Sequence, residues 1–125
     1  MKNNIMRLPD AELDVMMALW EMKTPALRAD IEKLLEKSHP MAQTTLLTLL
    51  SRLADKGFIE ITKKGRASLY APLINKDDYI SSQGNNFFKK LCRGRISDLA
   101  TALCATGITK EDFDELKKLL EENKL

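Results

Sequence analysis

The side chains best suited to chemistry in this chain are hydroxyl and cationic groups between residues 43 and 72. Thr45, Thr48 and Arg52 fall on one face of a predicted helix, opposite its apolar stripe. A threonine offers a donor, an acceptor and a methyl group to a base edge, and an arginine can read one. Polar surface helices more often carry Glu, Lys and Gln, so this composition favours a helix that enters a DNA groove over an ordinary solvated face.

A basic hairpin is predicted directly after that helix. Segments 58–62 and 67–71 are rich in strand formers, and Lys63-Lys64-Gly65-Arg66 joins them. A helix followed by a basic hairpin is the plan of a winged helix-turn-helix, in which one element enters a groove and the other grips the backbone. The alternative is that these charges only solubilise a turn. The predicted DNA contacts are Thr44, Thr45, Thr48, Arg52, Lys56, Lys63, Lys64 and Arg66.

Helical periodicity predicts the elements that position these groups. Helices are expected over about 10–22, 28–37 and 42–56, and residues 25–27 could form a short strand. Gly57 ends the third helix as a left-handed cap, and Pro72 ends the second strand of the hairpin. Because a lone two-stranded hairpin is marginal in water, it must pack against the helices.

Three further helical patterns follow a junction at residues 73–76. They span about 77–93, 96–105 and 110–123, and Thr109 is the expected N-cap of the last. Together they carry only about a dozen large apolar side chains, which is thin for a closed core. We therefore expect a dimerisation region, although it could instead pack back on the first domain. The predicted interface residues are Phe87, Phe88, Leu91, Ile96, Leu99, Leu103, Phe113, Leu116 and Leu120.

The predicted fold is thus mainly α with a small β-hairpin, organised as a winged-helix domain (1–74) and a three-helix dimerisation region (75–125). The net charge of +2 is small, but residues 41–72 hold five Lys/Arg against two Asp/Glu. The positive excess coincides with the predicted DNA-binding elements. Two paired chains would double that field along a duplex, which is one reason to expect a dimer.

Composition also bears on other classes of protein. No run of about 18 apolar residues predicts a membrane span, and residues 1–5 lack the apolar stretch of a signal peptide. With a single histidine, His39, neither a metal site nor a nucleophile–base pair is expected, so no cofactor and no catalysis are predicted. Cys92 and Cys104 are interpreted as two buried thiols in a reducing cytoplasm.

Three blocks of residues resemble the penicillinase and methicillin-resistance repressor family (BlaI/MecI type). They are residues 10–20 with Asp10-Ala11-Glu12, Val15-Met16 and Trp20, residues 50–57, and the hairpin with Gly65-Arg66, Tyr70 and Pro72. The resemblance implies a cytoplasmic dimeric repressor that binds an inverted-repeat operator, with helix 42–56 in the major groove and the wing, 58–72, on the backbone. It matches Thr45, Thr48 and Arg52 to groove-contacting positions and Arg66 to a wing position.

Regulation is where the sequence departs from that family. Its best-known members are inactivated by proteolysis at an Asn-Phe bond, and the corresponding pair here is Ala102-Leu103. Copper-responsive relatives carry clustered cysteines, whereas Cys92 and Cys104 stand twelve residues apart. A sensor protease or an antirepressor stays open as an inducing partner. The alternative to DNA binding is a winged-helix module that contacts only proteins.

Overall fold

Three helices, a three-stranded sheet and the first turns of a fourth helix make up the first of two units in the computed structural model, which describes residues 5–123. The first unit extends to Gln83 and the second begins at Gly84. The elements in chain order are α1 (Asp10–Glu21), β1 (Ala26–Leu27), α2 (Arg28–Leu35), α3 (Gln43–Asp55), β2 (Ile59–Lys64), β3 (Ala67–Pro72), α4 (Lys76–Asn86), a short π-helix (Phe87–Leu91), α5 (Ile96–Ala105) and α6 (Lys110–Asn123).

The sheet has the order β1-β3-β2 and is antiparallel throughout. Residues 25–27 do contribute a strand, because Ala26 pairs with Tyr70 of β3. Lys64 pairs with Ala67, so the hairpin turn consists of Gly65 and Arg66 alone. Gly65 has φ 66°, the positive value that such a tight turn requires. Lys63 and Lys64 therefore belong to β2 and not to the turn in which the sequence pattern placed them.

The core of the first unit is built from the apolar faces of α1, α2 and α3 and the inner ends of β2 and β3. α3 contributes the four leucines predicted for its buried stripe, Leu46, Leu49, Leu50 and Leu53. Phe58 and Ile59 continue the core directly after α3. This arrangement of three helices with a β-hairpin is the predicted winged helix-turn-helix.

Gly57 sets the change of direction from α3 into β2. It has φ 81°, and its amide donates to the carbonyl of Ala54 at 3.0 Å. The amide of Phe58 donates to the carbonyl of Leu53 at 2.9 Å. These two bonds form a Schellman motif, which satisfies the last carbonyls of the helix and delivers the Phe58 side chain to the core.

We predict that Gly57→Ala lowers the free energy of unfolding by about 1–2 kcal/mol, since an L-residue is strained in the left-handed region. The space around Gly57 is open to a methyl group, so the cost is in the backbone and not in a clash. Chemical denaturation followed by circular dichroism measures it. Gly84→Ala, which lies in α4 and also meets open space, is the matched control. An equal change in both variants would contradict the explanation.

The first turns of α4 belong with the first unit, which corrects the predicted boundary at residue 74. The hydroxyl of Tyr79 accepts a hydrogen bond from the amide of Leu8 at 2.9 Å. The Tyr79 ring lies 5.7 Å from that of Trp20 and 6.0 Å from that of Phe58, between centroids. Ser82 donates to the carbonyl of Ile5 at 3.2 Å. The boundary therefore falls after Gln83. The outer ends of both predicted domains, residues 1–4 and 124–125, lie outside the described residues.

The second unit contains the π-helix, α5 and α6. Thr109 caps α6 as predicted: its hydroxyl accepts from the amide of Asp112, and the Asp112 carboxylate accepts from the amide of Thr109, both at 3.1 Å. Cys92 is buried, but Cys104 is exposed, which corrects one of the two thiol predictions. Cys104 follows Leu103 by about 100° around α5 and so points away from the apolar stripe.

None of the nine predicted interface residues is fully buried within the single chain. Three are half-buried: Phe88, Leu99 and Leu103. Six are exposed: Phe87, Leu91, Ile96, Phe113, Leu116 and Leu120. The second unit thus shows a large apolar surface, and its role in dimerisation stays a prediction. Within residues 5–123, no helix has the length and apolar character needed to span a membrane.

Candidate nucleic-acid interface

The outward face of α3 carries the polar groups that the sequence predicted. Thr44, Thr45, Thr48 and Arg52 are all exposed, opposite the buried leucine stripe. The hydroxyl of Thr48 donates to the carbonyl of Thr44 at 3.0 Å. Its donor is therefore used within the helix, and the side chain offers an acceptor and a methyl group outward. The guanidinium of Arg52 makes no hydrogen bond or ion pair with residues 5–123, so its donors are available to a ligand.

The wing supplies a second group of free cations. Ile59 is buried, but every other residue of β2 is exposed, so most of the strand lies on the surface. Lys63, Lys64 and Arg66 are exposed at the tip. None of these three has an ion-pair partner in the described part of the chain. Such cations neutralise phosphates without reading sequence.

Lys56 differs from the other predicted cationic contacts because its ammonium group already has an ion-pair partner. Its Nζ lies 2.5 Å from Oε1 of Glu12 on α1. Glu12 is only 3% exposed, which makes it a rare buried carboxylate. The pair ties the end of α3 to α1, and it explains how a charge is tolerated inside the helical layer.

A cleft of about 340 Å³ opens between the start of α2, α3 and the wing. We call it the wing cleft, and its lining includes Leu27, Arg28, Leu47, Arg66 and Ser68. Sequence reasoning missed Arg28 and Leu47. The sequence did contain a signal for Leu47, because it is an apolar residue of α3 that lies off the predicted buried stripe. In the structure its side chain is 39% exposed.

The sole histidine lies elsewhere, beside a larger cleft of about 500 Å³ between α1 and α2. His39 Nε2 is 3.6 Å from Oδ1 of Asp14, and its Nδ1 is 3.1 Å from the Ser38 hydroxyl. Residues 5–123 contain no group of three or more His, Cys, Asp or Glu side chains that could hold a metal ion. The groups described above for α3 and the wing offer hydrogen bonding and cationic contacts.

Comparison with known proteins shows that this chain is similar to repressors. The family model described as "Penicillinase repressor" matches residues 8–122. The penicillinase repressor of Bacillus licheniformis is 30% identical over 121 residues, which cover 96% of this chain and 94% of that protein. The methicillin resistance regulatory protein MecI of Staphylococcus aureus (strain N315) is 26% identical over 123 residues, or 98% and 99% of the two chains.

The solved structures similar to this chain include the Bacillus licheniformis BlaI monomeric form in complex with the blaP half-operator. That chain is 34% identical, with a TM-score of 0.51, and the match covers 61% of this chain and 92% of that one.

Proposed function

Because the chain belongs to the penicillinase repressor family, we propose that it is a transcriptional repressor that binds an inverted-repeat DNA operator as a homodimer. The single observation that carries this proposal is the exposed hydroxyl face of α3, which ends in Arg52, together with the three wing cations; all four cationic side chains are unpaired within residues 5–123. The related BlaI chain is described in complex with a half-operator, which supports the same use of these elements.

In the proposed complex, α3 enters the major groove and the wing lies on the adjacent backbone. Thr45 and Thr48 contact base edges or thymine methyl groups, and Arg52 reads a base. Lys63, Lys64 and Arg66 contact phosphates, which adds affinity that is independent of sequence. We assign Lys56 to the internal pair with Glu12 and no longer to the DNA surface.

Dimerisation is proposed to occur through the exposed apolar stripes of the second unit. A stable obligate interface of this kind buries more than about 2,000 Å². The two winged-helix domains of the dimer then bind the two half-sites of the operator. The fraction of operator that is occupied depends on the concentration of dimer in the cytoplasm. An inducer, such as a sensor protease or an antirepressor, would release the operator by weakening the dimer, without acting on α3.

The competing proposal is a winged-helix module that contacts only other proteins. Because DNA binding neutralises phosphates, its affinity falls steeply as the salt concentration rises. The affinity of a protein contact through an apolar face does not fall in this way. The family consists of transcriptional repressors, and we propose no catalytic activity for this chain.

We predict that Arg52→Ala and Lys64→Ala weaken binding in different ways. With an operator selected from a random pool, Arg52→Ala should cost about 1–3 kcal/mol and relax preference at one base position per half-site. Lys64→Ala should weaken all sequences alike and reduce the salt slope by about 0.9 for each phosphate that the protein no longer neutralises. Fluorescence anisotropy across a salt series separates the two effects.

Lys23→Ala, which removes an exposed lysine in the α1–β1 connection, is the matched control and should change neither quantity appreciably. If Arg52→Ala and Lys64→Ala produced the same uniform loss, Arg52 would be a phosphate contact. If the wild-type protein bound no duplex, the interaction-module alternative would replace the repressor.

A further inference from the structure

The wing cleft has a chemical character that matches one strand of a DNA backbone. Among the described residues, its lining contains two guanidinium groups, Arg28 and Arg66, and no carboxylate. Leu27 and Leu47 form an apolar part of the same lining, and they are 40% and 39% exposed. A nucleic-acid strand alternates anionic phosphates with weakly polar sugars, so both parts of the cleft have a counterpart in it.

The two arginines differ in their present partners. Nη1 of Arg28 donates to Oε1 of Glu32, one helical turn further along α2. The two side chains are 28% and 30% exposed, so this pair is only partly solvated. Arg66 has no ion-pair partner within residues 5–123. Glu32 itself does not line the cleft, whereas Arg28 both lines it and pairs with Glu32.

We propose that the wing cleft seats one backbone phosphate of the bound duplex between Arg28 and Arg66, and that Glu32 competes with this phosphate for Arg28. Guanidinium groups bind phosphate oxygens through paired hydrogen bonds, so exchanging a carboxylate for a phosphate keeps one charge-assisted contact for Arg28. The neighbouring deoxyribose then covers Leu27 and Leu47. This inference rests on the proposed DNA-binding function and adds a contact outside α3's polar face and the wing tip.

The position of Leu47 on α3 supports this placement. Leu47 and Arg52 are five residues apart, which separates them by about 140° around a helix. They consequently occupy opposite flanks of α3, with Leu47 toward the wing and Arg52 away from it. A helix in the major groove has one DNA backbone along each of its flanks. The wing cleft would hold the DNA strand that runs along the Leu47 flank of α3.

The test measures binding of the full-length protein to a labelled mixed-sequence duplex over a salt series. Arg28→Ala should weaken binding and reduce the salt slope by about 0.9 per protomer, which corresponds to one phosphate contact. Glu32→Gln should strengthen binding by about twofold to fivefold per protomer, because it frees Arg28 from a partly exposed pair. In the Arg28→Ala background, the gain from Glu32→Gln should fall to the small gain expected from the change in net charge alone.

Two controls separate the proposed contact from a general charge effect. Asp30→Asn changes the net charge as Glu32→Gln does, but Asp30 is exposed on α2 and does not line the wing cleft. Its gain should be smaller than that of Glu32→Gln and should persist without Arg28. Arg28→Lys keeps the charge but loses the planar fork, so it should weaken binding while leaving the salt slope unchanged. Thermal unfolding confirms that each variant is folded.

The inference is overturned if Arg28→Ala binds like the wild type, or if the full Glu32→Gln gain survives in the Arg28→Ala background. Either result, together with normal sensitivity to Arg52→Ala and Lys64→Ala, would leave the proposed repressor function standing. Failure of the wild-type protein to bind any duplex would instead remove the function on which this inference rests.

Discussion

Replacing both Leu116 and Leu120 with glutamate is expected to leave each chain folded and to dissociate the proposed dimer. The two side chains are 37% and 52% exposed in the single chain, so a glutamate at either position can keep its carboxylate in water. In a dimer they would place charges in an apolar interface, where an unpaired charge is costly to bury. Sedimentation velocity should show a monomer, while the circular dichroism of the helices is retained.

Operator binding should fall much further than any single DNA contact would explain. Linking two half-site readers raises overall affinity by about 100-fold to 10,000-fold, and the monomeric variant loses that factor. Its affinity for an isolated half-site should be unchanged, because α3 and the wing are untouched.

The matched control for this result is a polar position on the other side of α6. Lys118→Gln changes the charge by the same single unit as one Leu→Glu substitution and should stay dimeric. Lys118 lies about two residues from both leucines and therefore faces away from their stripe. A Leu116→Glu/Leu120→Glu protein that remained a tight dimer would place the interface elsewhere in the chain.

Lys56→Ala is expected to lower the free energy of unfolding by about 3 kcal/mol. The substitution leaves the Glu12 carboxylate buried without its ion partner, and that is the costly outcome for a buried pair. The Lys56 side chain is 27% exposed, so water can reach the site and the loss should lie at the low end of the range for such pairs. Urea denaturation at neutral pH measures it.

Removing both charges with Glu12→Gln/Lys56→Gln should recover most of that stability, because no charge is then left unpaired. Lys33→Ala, at an exposed lysine of α2, should change stability by no more than about 0.5 kcal/mol. If Lys56→Ala were as stable as the wild type but had lower DNA affinity and a smaller salt slope, Lys56 would be a phosphate contact after all.

The local elements were predictable from sequence because the signals that specify them act over a few residues. Apolar spacing predicted α1, α3, α5 and α6 to within one residue at either end. Gly57 and Gly65 marked backbone positions with positive φ, and both have it. The exposed polar face of α3 follows from the same periodicity, so most of the candidate DNA surface could be read from the chain.

What the sequence by itself determined is therefore the positions of α1, α3, α5 and α6, the hairpin and the polar face of α3. It did not separate α4 from the π-helix, since one continuous helix was predicted over 77–93. Only the tertiary structure decided which charges are free and which are used internally. Lys56 pairs with Glu12 across 44 positions, and Tyr79 bonds to Leu8 across 71. The wing cleft likewise brings Arg28, Leu47 and Arg66 together from three elements. Such contacts depend on how separate elements pack, and periodicity within one element carries no information about its partner on another.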